Sequence, residues 1–488
     1  MKHVAVIGAG IAGIAVAIRL QHAGFDVTVY ERNSYPGGKL SEINFNGYRF
    51  DAGPSLFTMP HFVDELFSLT GSNTSAYFEY IKKDIVCEYF FADETRFTAY
   101  ADLEQYKHEA IQKFDVDSQK LSSYFEQSHL KYDLTSPLFL EKSLHKLSTY
   151  LSKDTIKAIA SMHKLTLFNT LHEVNQSFFD NPKLVQLFDR YATYNGSSPY
   201  LTPGIMSLIP HLEQYYGTFF PKGGMISITK SLVKLAEDIG VKFKYGVNVD
   251  SISVELKKAN GVVVDGQFEV ADILVSNMDI VPTYRKLLAN QPQPEKVLQQ
   301  ERSSSALIFY WGVQHVFPEL NLHNIFFADN YQAEFKALFE TKNVVDDITV
   351  YVHISSKDEP SDAPAGCENW FVMVNVPSNI GQDWDEIIQR TRTNIINRIS
   401  SQLKVNLSEL ISCESILDPR SIEFKTQSYQ GALYGAASND RYAAFLRHPN
   451  FSRTIDNIYF CGGSVHPGGG IPLCLLSAKI TSDLIGKP

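Results

Sequence analysis

Cysteine is scarce in this sequence. The five that occur, Cys87, Cys367, Cys413, Cys461 and Cys474, are odd in number and form no C-x-x-C pair. That excludes a disulfide framework and indicates no zinc or other metal site. It is the usage expected of a reducing, cytoplasmic setting. Basic residues are outnumbered, 44 Lys and Arg against 54 Asp and Glu for a net charge of −10. No basic run is long enough to track a phosphate backbone, so nucleic acid is not an expected partner. Long apolar runs are also missing. The longest, Val4 to Ile18, falls short of the ~20 residues that cross a bilayer and is interrupted by Gly8, Gly10 and Gly13. No transmembrane helix is expected. Met1-Lys2-His3 is a thin charged prelude with no clean cleavage site after the run, which is therefore read as a buried strand and helix and not as a leader. Internal repeats and low-complexity tracts are absent as well.

What is present is a globular composition. The chain has 488 residues, 44% hydrophobic and 20% charged, enough for about three structural units and more than one core. Only 3 residues are Trp, against 32 Phe and 25 Tyr. Flat side chains in that number suit the wall of a long apolar pocket, and each alone suits an ordinary core equally well.

Val4 to Ile7 reads as a buried strand, Gly8 to Gly13 as a glycine-rich turn, Ile14 to His22 as a helix stopped at Gly24, and Val27 to Tyr30 as a second strand ending at Glu31. This is a strand, helix, strand unit of the length a parallel crossover needs. Asp84 to Ala101 turns β-rich. Leu103 to about Asp189 reads mostly helical, with Leu140, Leu144, Leu147 and Leu151 on one face. After Pro199, Pro203 and Pro210, a helix through Ala236 and strands at Lys242 to Lys244 and Asn248 to Val254 return to the style of the first unit. Strands are expected at Leu307 to Val313, Asp347 to His353 and Trp370 to Val376, and a helix at Trp384 to Leu403. The chain closes with a strand at Ile458 to Cys461, a second glycine-rich turn, and a helix at Leu473 to Ile485.

Gly8-x-Gly10-x-x-Gly13 stands directly after a strand and opens a helix, where a dinucleotide fingerprint belongs. The glycines permit a tight turn, close approach of backbone to a pyrophosphate, and close packing of helix on strand. Glu31, 18 residues past Gly13, is placed to accept hydrogen bonds from ribose hydroxyls and to repel a 2′-phosphate.

The segment that follows, Arg32 to Lys39 with Gly37-Gly38, then Asp51-Ala52-Gly53-Pro54, resembles the extended signature of flavin amine oxidases and carotenoid desaturases. The C-terminal Gly462-Gly463-Ser464-Val465-His466-Pro467-Gly468-Gly469-Gly470-Ile471-Pro472 is similar to the corresponding segment of bacterial-type carotenoid desaturases. Arg190 to Tyr200 resembles the hydroxycarotenoid 3,4-desaturases of that group. Together with Lys222-Gly223-Gly224-Met225 and Val275 to Asp279, the resemblance covers essentially the whole chain.

It implies an α/β fold, with a Rossmann-type FAD-binding domain like those of glutathione reductase and the amine oxidases, a mixed β-sheet substrate domain and a helical subdomain. The boundaries expected are 1–80, 213–290 and 446–488 for the FAD-binding parts, 81–130 and 291–445 for the substrate domain, and 131–212 for the helical, membrane-facing part. FAD is expected to be held non-covalently. Besides Gly8, Gly10, Gly13 and Glu31, the resemblance places Arg32, Gly38, Lys39 and Gly53 beside it from the N-terminal side. Val249, Gly463, Gly470 and Ile471 are placed there from later in the chain. Many relatives carry Gly-Asp where this chain has Gly463-Ser464, which removes a carboxylate from the ribityl contact.

The activity implied is desaturation of an acyclic, 1-hydroxylated carotenoid end group at its 3,4 bond. The alternatives are a phytoene or neurosporene desaturase, a flavin amine oxidase, or a carotenoid isomerase. Asp189, Arg190 and Tyr194 are candidates for an acid/base or orienting role, and equally for an ion pair and a packed tyrosine. His466 is read either as a base or as a turn histidine that positions the flavin loop. A substrate this insoluble is expected to arrive from a membrane to which the protein binds peripherally. Leu138 to Lys164, with Lys142, Lys146, Lys153, Lys157 and Lys164 beside the leucines, is a candidate membrane-surface helix, or one that buries its leucines in its own domain. Oxygen or a quinone is the expected electron acceptor.

Overall fold

A computed structural model describes residues 1–137, 142–146, 149, 161, 165–439 and 446–488. Strands β1 (His3–Ile7) and β2 (Asp26–Glu31) are almost wholly buried, as strands covered on both faces must be. They pair in parallel, with Val4 opposite Val27. Helix α1 (Ile11–His22) crosses between them, and every residue from Ala12 to Ile18 is buried. It starts three residues before the expected Ile14, because extended Gly10 (φ −70°, ψ 170°) already serves as its N-cap.

The chain returns to this sheet twice. Helix α2 (Ile226–Asp238), β3 (Lys242–Tyr245) and β4 (Ile273–Ser276) come first; β5 (Ile458–Phe460) and helix α3 (Ile471–Ile485) close it. The order is β3–β2–β1–β4–β5, all parallel. Ile7, Ser276 and Phe460 are partners across the adjacent strands β1, β4 and β5. The turns that leave β1, β4 and β5 therefore emerge side by side at the carboxyl edge, where open α/β sheets bind ligands.

A second, seven-stranded sheet runs in the order Ile411–Leu417, Ser305–Val313, Glu368–Val376, Val350–His353, His323–Phe326, Ile85–Phe90, Arg96–Tyr100. Its pairings are antiparallel except that of His323–Phe326 with Ile85–Phe90. Alternation divides its faces. Leu307, Phe309, Trp311, Trp370, Val372 and Val374 pack against the helix Trp384–Leu403, so all three tryptophans serve one core. Ala306, Ile308, Tyr310, Phe371 and Met373 face the other way, into a cavity.

Helices Leu103–Phe114, Ser118–Thr135, Leu171–Phe178 and Pro182–Asp189 form the helical part. Thr170 and Glu173 make a reciprocal capping box at the third of these, and Asn181 caps the fourth ahead of Pro182. The membrane-surface helix expected between 138 and 164 lies mostly outside the described residues; Leu144, which is described, is buried. Among the described residues no helix is long and apolar enough to cross a membrane.

Candidate functional site

A single cavity of about 1210 Å³ extends from the carboxyl edge of the parallel sheet to the inward face of the second sheet. It exceeds the roughly 300–1,000 Å³ of a small-ligand pocket. Its parallel-sheet end is built by backbone. Gly8 (φ +97°) turns the chain out of β1, and its N–H donates to the Tyr30 carbonyl at 2.8 Å. A side chain on Gly13 would put its Cβ 2.1 Å from the Gly8 carbonyl oxygen. Gly13 is thus the residue that lets α1 sit against the turn, and it stands behind the wall. Gly8 and Gly10 are on the wall.

Glu31 is 7% exposed and lies at the wall. Its two carboxylate oxygens accept from the N–H groups of Ala9 and Asn33, each at 2.8 Å. Each oxygen keeps capacity for a further donor. Val249 is on the wall nearby, in a segment tied back to β2 by the Val247 N–H to the Glu31 carbonyl. Arg32 donates to the Phe424 carbonyl and lies over that ring. Gly38 adopts φ +57° and approaches Gly10. Lys39 reaches across the cavity to the carbonyls of Leu433 (2.7 Å) and Ala432 (3.1 Å). Burial pulls its ammonium down to about 8. Gly53 is required by crowding, since a Cβ there would meet the Lys39 carbonyl at 1.9 Å.

The C-terminal turn completes this end. Gly463, Gly470 and Ile471 line it, and α3 has Gly470 as its N-cap, with no side chain capping its free N–H groups. A Cβ on Gly470 would meet nothing within 4 Å, so bare backbone faces open cavity there. The Ser464 hydroxyl accepts from the Ile280 N–H at 2.9 Å. Asn277, just past β4, lies between the two glycine turns: its amide donates to the Cys461 carbonyl at 3.2 Å, and its Oδ1 fills the space a side chain on Gly10 would need. Sequence reasoning quoted this residue without assigning it. Its signal was the position next to a parallel strand's carboxyl end.

At the second-sheet end, Arg190 and Tyr194 are on the wall, joined by Thr193 and by Glu213, which was not anticipated. Tyr191 donates to Glu213 at 2.6 Å, Tyr194 donates to its other oxygen, and Arg190 approaches at 3.4 Å. Ser55, Tyr351 and His323 are also on this wall, joined to one another by hydrogen bonds of 2.7 Å (Ser55–Tyr351) and 2.8 Å (His323–Tyr351).

Two of the candidate catalytic residues are not on the wall. Asp189 is 1% exposed, accepting from His172 Nδ1 at 2.6 Å and Asn175 Nδ2 at 2.8 Å. It points into the helical part, and its neighbour Arg190 takes the cavity side. His466 is buried, with Nε2 2.9 Å from the Lys142 carbonyl and its own carbonyl accepting from Asn450 and Ser477. Burial pulls its imidazole down to about 4, so it is neutral near pH 7. Of the two readings of His466, this geometry is that of a turn histidine. Cys461 is buried off the wall, and burial raises its thiol.

The cradle fits FAD. It offers bare backbone at two helix N-termini to a pyrophosphate, a buried carboxylate to a ribose, and a cavity that continues from there to the second sheet. The chain matches the family model of flavin containing amine oxidoreductases over residues 11–486. It is 55% identical to the 1-hydroxycarotenoid 3,4-desaturase of a Flavobacterium species, over 99% of each chain. With the phytoene desaturase of Fusarium fujikuroi it shares 32% identity, over 100% of this chain and 89% of that one. The structure of a putrescine oxidase superposes with a TM-score of 0.66 at 14% identity, covering 99% of this chain and 98% of the other, a likeness of fold. The chain belongs to the flavin containing amine oxidoreductase family, with FAD as its cofactor. Within that family it stands among the carotenoid desaturases.

Proposed function

We propose that the protein is an FAD-dependent desaturase that introduces a 3,4 double bond into an acyclic, 1-hydroxylated carotenoid end group. The observation that carries this reading is the continuity of the cavity: one space joins the FAD cradle to an apolar face wide enough for a polyene. The 55% identity to a 1-hydroxycarotenoid 3,4-desaturase over the full length supports the substrate class. The division proposed gives 1–80, 213–290 and 446–488 to FAD, 81–130 and 291–445 to the substrate, and 131–212 to the helical part, with the helices Leu103–Phe114 and Ser118–Thr135 packing on that helical part from within or across the 81–130 segment.

Bound FAD supplies the two-electron acceptor for the hydride that the substrate carbon gives up. Ala306, Ile308, Phe371 and Met373 exclude water and hold the chain extended against the cradle. The conjugated chain spreads the positive charge left behind, so the proton lost from the neighbouring carbon would pass to a weak acceptor such as solvent water, and no strong base is required. His466, neutral and away from the wall, keeps the C-terminal turn in place. We place the protein peripherally at the cytoplasmic face of a membrane, with oxygen or a quinone as electron acceptor. Exposed Phe168 and Leu201, on segments joined by the Thr170–Pro203 bridge, support such a contact.

The test is incubation of the FAD-loaded protein with liposomes holding phytoene, lycopene or a 1-hydroxylated acyclic carotenoid, with oxygen or a quinone supplied. Loss of two hydrogens and a red-shifted spectrum on the hydroxylated carotenoid alone is the expected result. Turnover of phytoene in its place would assign the protein to the earlier desaturation. No redox change on any carotenoid would turn attention to isomerisation or amines.

A further inference from the structure

Arg190 and Glu213 form a buried ion pair on a hydrocarbon-binding wall, and buried pairs of this kind are seldom net stabilising. Their hydrogen bonding is lopsided. Glu213 accepts from Tyr191, Tyr194 and Arg190, so its carboxylate is well served. Arg190 has five N–H donors. Among the described residues it makes one long hydrogen bond, to Glu213, and its buried Nε has no partner. The guanidinium lies over the rings of Tyr191, Tyr89 and Tyr194, at 4.5, 5.3 and 5.5 Å from their centroids, which fixes its plane and leaves its edge undersupplied. The cluster lacks an acceptor.

Its place in the cavity gives that lack a meaning. Arg190 shares the cavity wall with His323, Tyr331 and Tyr351. Tyr351 is hydrogen bonded to Ser55, two residues past the cofactor-facing Gly53. This polar part of the wall therefore begins next to the cradle. On a 1-hydroxylated end group the oxygen is three bonds from carbon 3, one of the two carbons that react. A donor that holds this oxygen near the cradle also holds the reacting bond there.

We propose that Arg190 is the specificity-determining donor to the substrate hydroxyl, and that Glu213 and Tyr194 are positioning residues that aim it. This rests on the desaturase reading above. A substrate lacking the hydroxyl leaves the guanidinium without its acceptor in an apolar space, and sites built to hydrogen-bond a hydroxyl discriminate strongly against analogues without one.

The experiment compares wild type, Tyr194→Phe and the double variant Arg190→Met/Glu213→Gln, the last removing both charges together. Each FAD-loaded protein is given a 1-hydroxylated acyclic carotenoid and its counterpart without the hydroxyl. Turnover and equilibrium binding, read by quenching of protein fluorescence, are both measured. Wild type should favour the hydroxylated carotenoid by roughly 100-fold or more in kcat/KM. Tyr194→Phe should cut that preference about ten-fold, with kcat falling as well as binding. The double variant should abolish the preference in both readouts. Equal losses on the two substrates, or a preference that survives in the double variant, would overturn the proposal. If the double variant does not fold, Tyr194→Phe carries the test alone, since it removes one oxygen. A wild type that binds the hydroxylated carotenoid preferentially without oxidising it would instead sink the desaturase reading and leave hydroxyl recognition standing.

Discussion

Glu31→Gln changes one atom of the cradle and has a calculable effect. The two carboxylate oxygens hold the Ala9 and Asn33 N–H groups at 2.8 Å, and Ala9 lies inside the glycine turn. Glutamine has the same shape with a single oxygen. One of those N–H groups keeps an acceptor, now uncharged, and the other faces an NH₂. Hydrogen bonds to charged groups contribute about 1.5–3 kcal/mol and neutral ones about 1 kcal/mol, while a buried donor left unpaired costs about 1–3 kcal/mol. The FAD-free protein should lose about 2–4 kcal/mol, most of it at the turn. The ribose also loses a charged acceptor, which should weaken FAD binding about 10- to 100-fold. Urea unfolding of the FAD-free protein reads the first effect, and titration with FAD followed by flavin fluorescence reads the second. An unchanged unfolding midpoint together with FAD affinity within two-fold of wild type would refute the assignment of Glu31 to both tasks.

Gly13→Ala should force α1 away from the turn, because its Cβ would meet the Gly8 carbonyl at 2.1 Å; a loss of about 1–3 kcal/mol by urea unfolding and FAD affinity down at least ten-fold are expected. Asp189→Asn puts an amide between His172 and Asn175 and should cost about 1–3 kcal/mol in the same assay, while turnover per FAD-loaded molecule stays at the wild-type value. Burial pulls His353, His448 and His466 from 6.5 down to about 4. The unfolded chain therefore binds more protons than the folded one between those values, so stability is full above pH 6.5 and falls as pH drops from 6.5 toward 4. Urea midpoints measured across that range should show the decline, and His466→Gln should make it shallower.

The parallel sheet was legible because its signals are local. Gly8, Gly10 and Gly13 follow a buried strand at fixed spacing, and Glu31 ends the next strand, so both roles are carried by covalent neighbours. Glu213 was not legible. Its partners Arg190, Tyr191 and Tyr194 are about twenty residues away along helical and turn segments, and no periodicity links a carboxylate to a tyrosine ring across such a gap. For His466 and Asp189 residue type left an acid/base and a structural reading open, because only packing decides which side of an element meets a cavity. Arg190 and Asp189 are adjacent in sequence and face opposite ways. The strand Ile411–Leu417 was missed because none of its residues is buried: half-buried and exposed positions alternate at the sheet edge, and they do not follow polarity, Ser415 being half-buried and Ile416 exposed.

The position of β5 in the parallel sheet also sets the timing of synthesis. β4 ends at Ser276, and the strand that pairs with its open side starts at Ile458. At 5–20 residues per second the ribosome needs roughly 10–40 s to deliver it. Throughout that interval the nascent chain carries an unpaired parallel edge rich in Ile, Leu and Val, a template for association with other chains. The flavin cradle lacks its third turn for just as long. Chaperone occupancy of ribosome-bound chains stalled before residue 458 should exceed that of chains carried past Ile485, and cellular FAD supply should govern how much finished protein escapes aggregation.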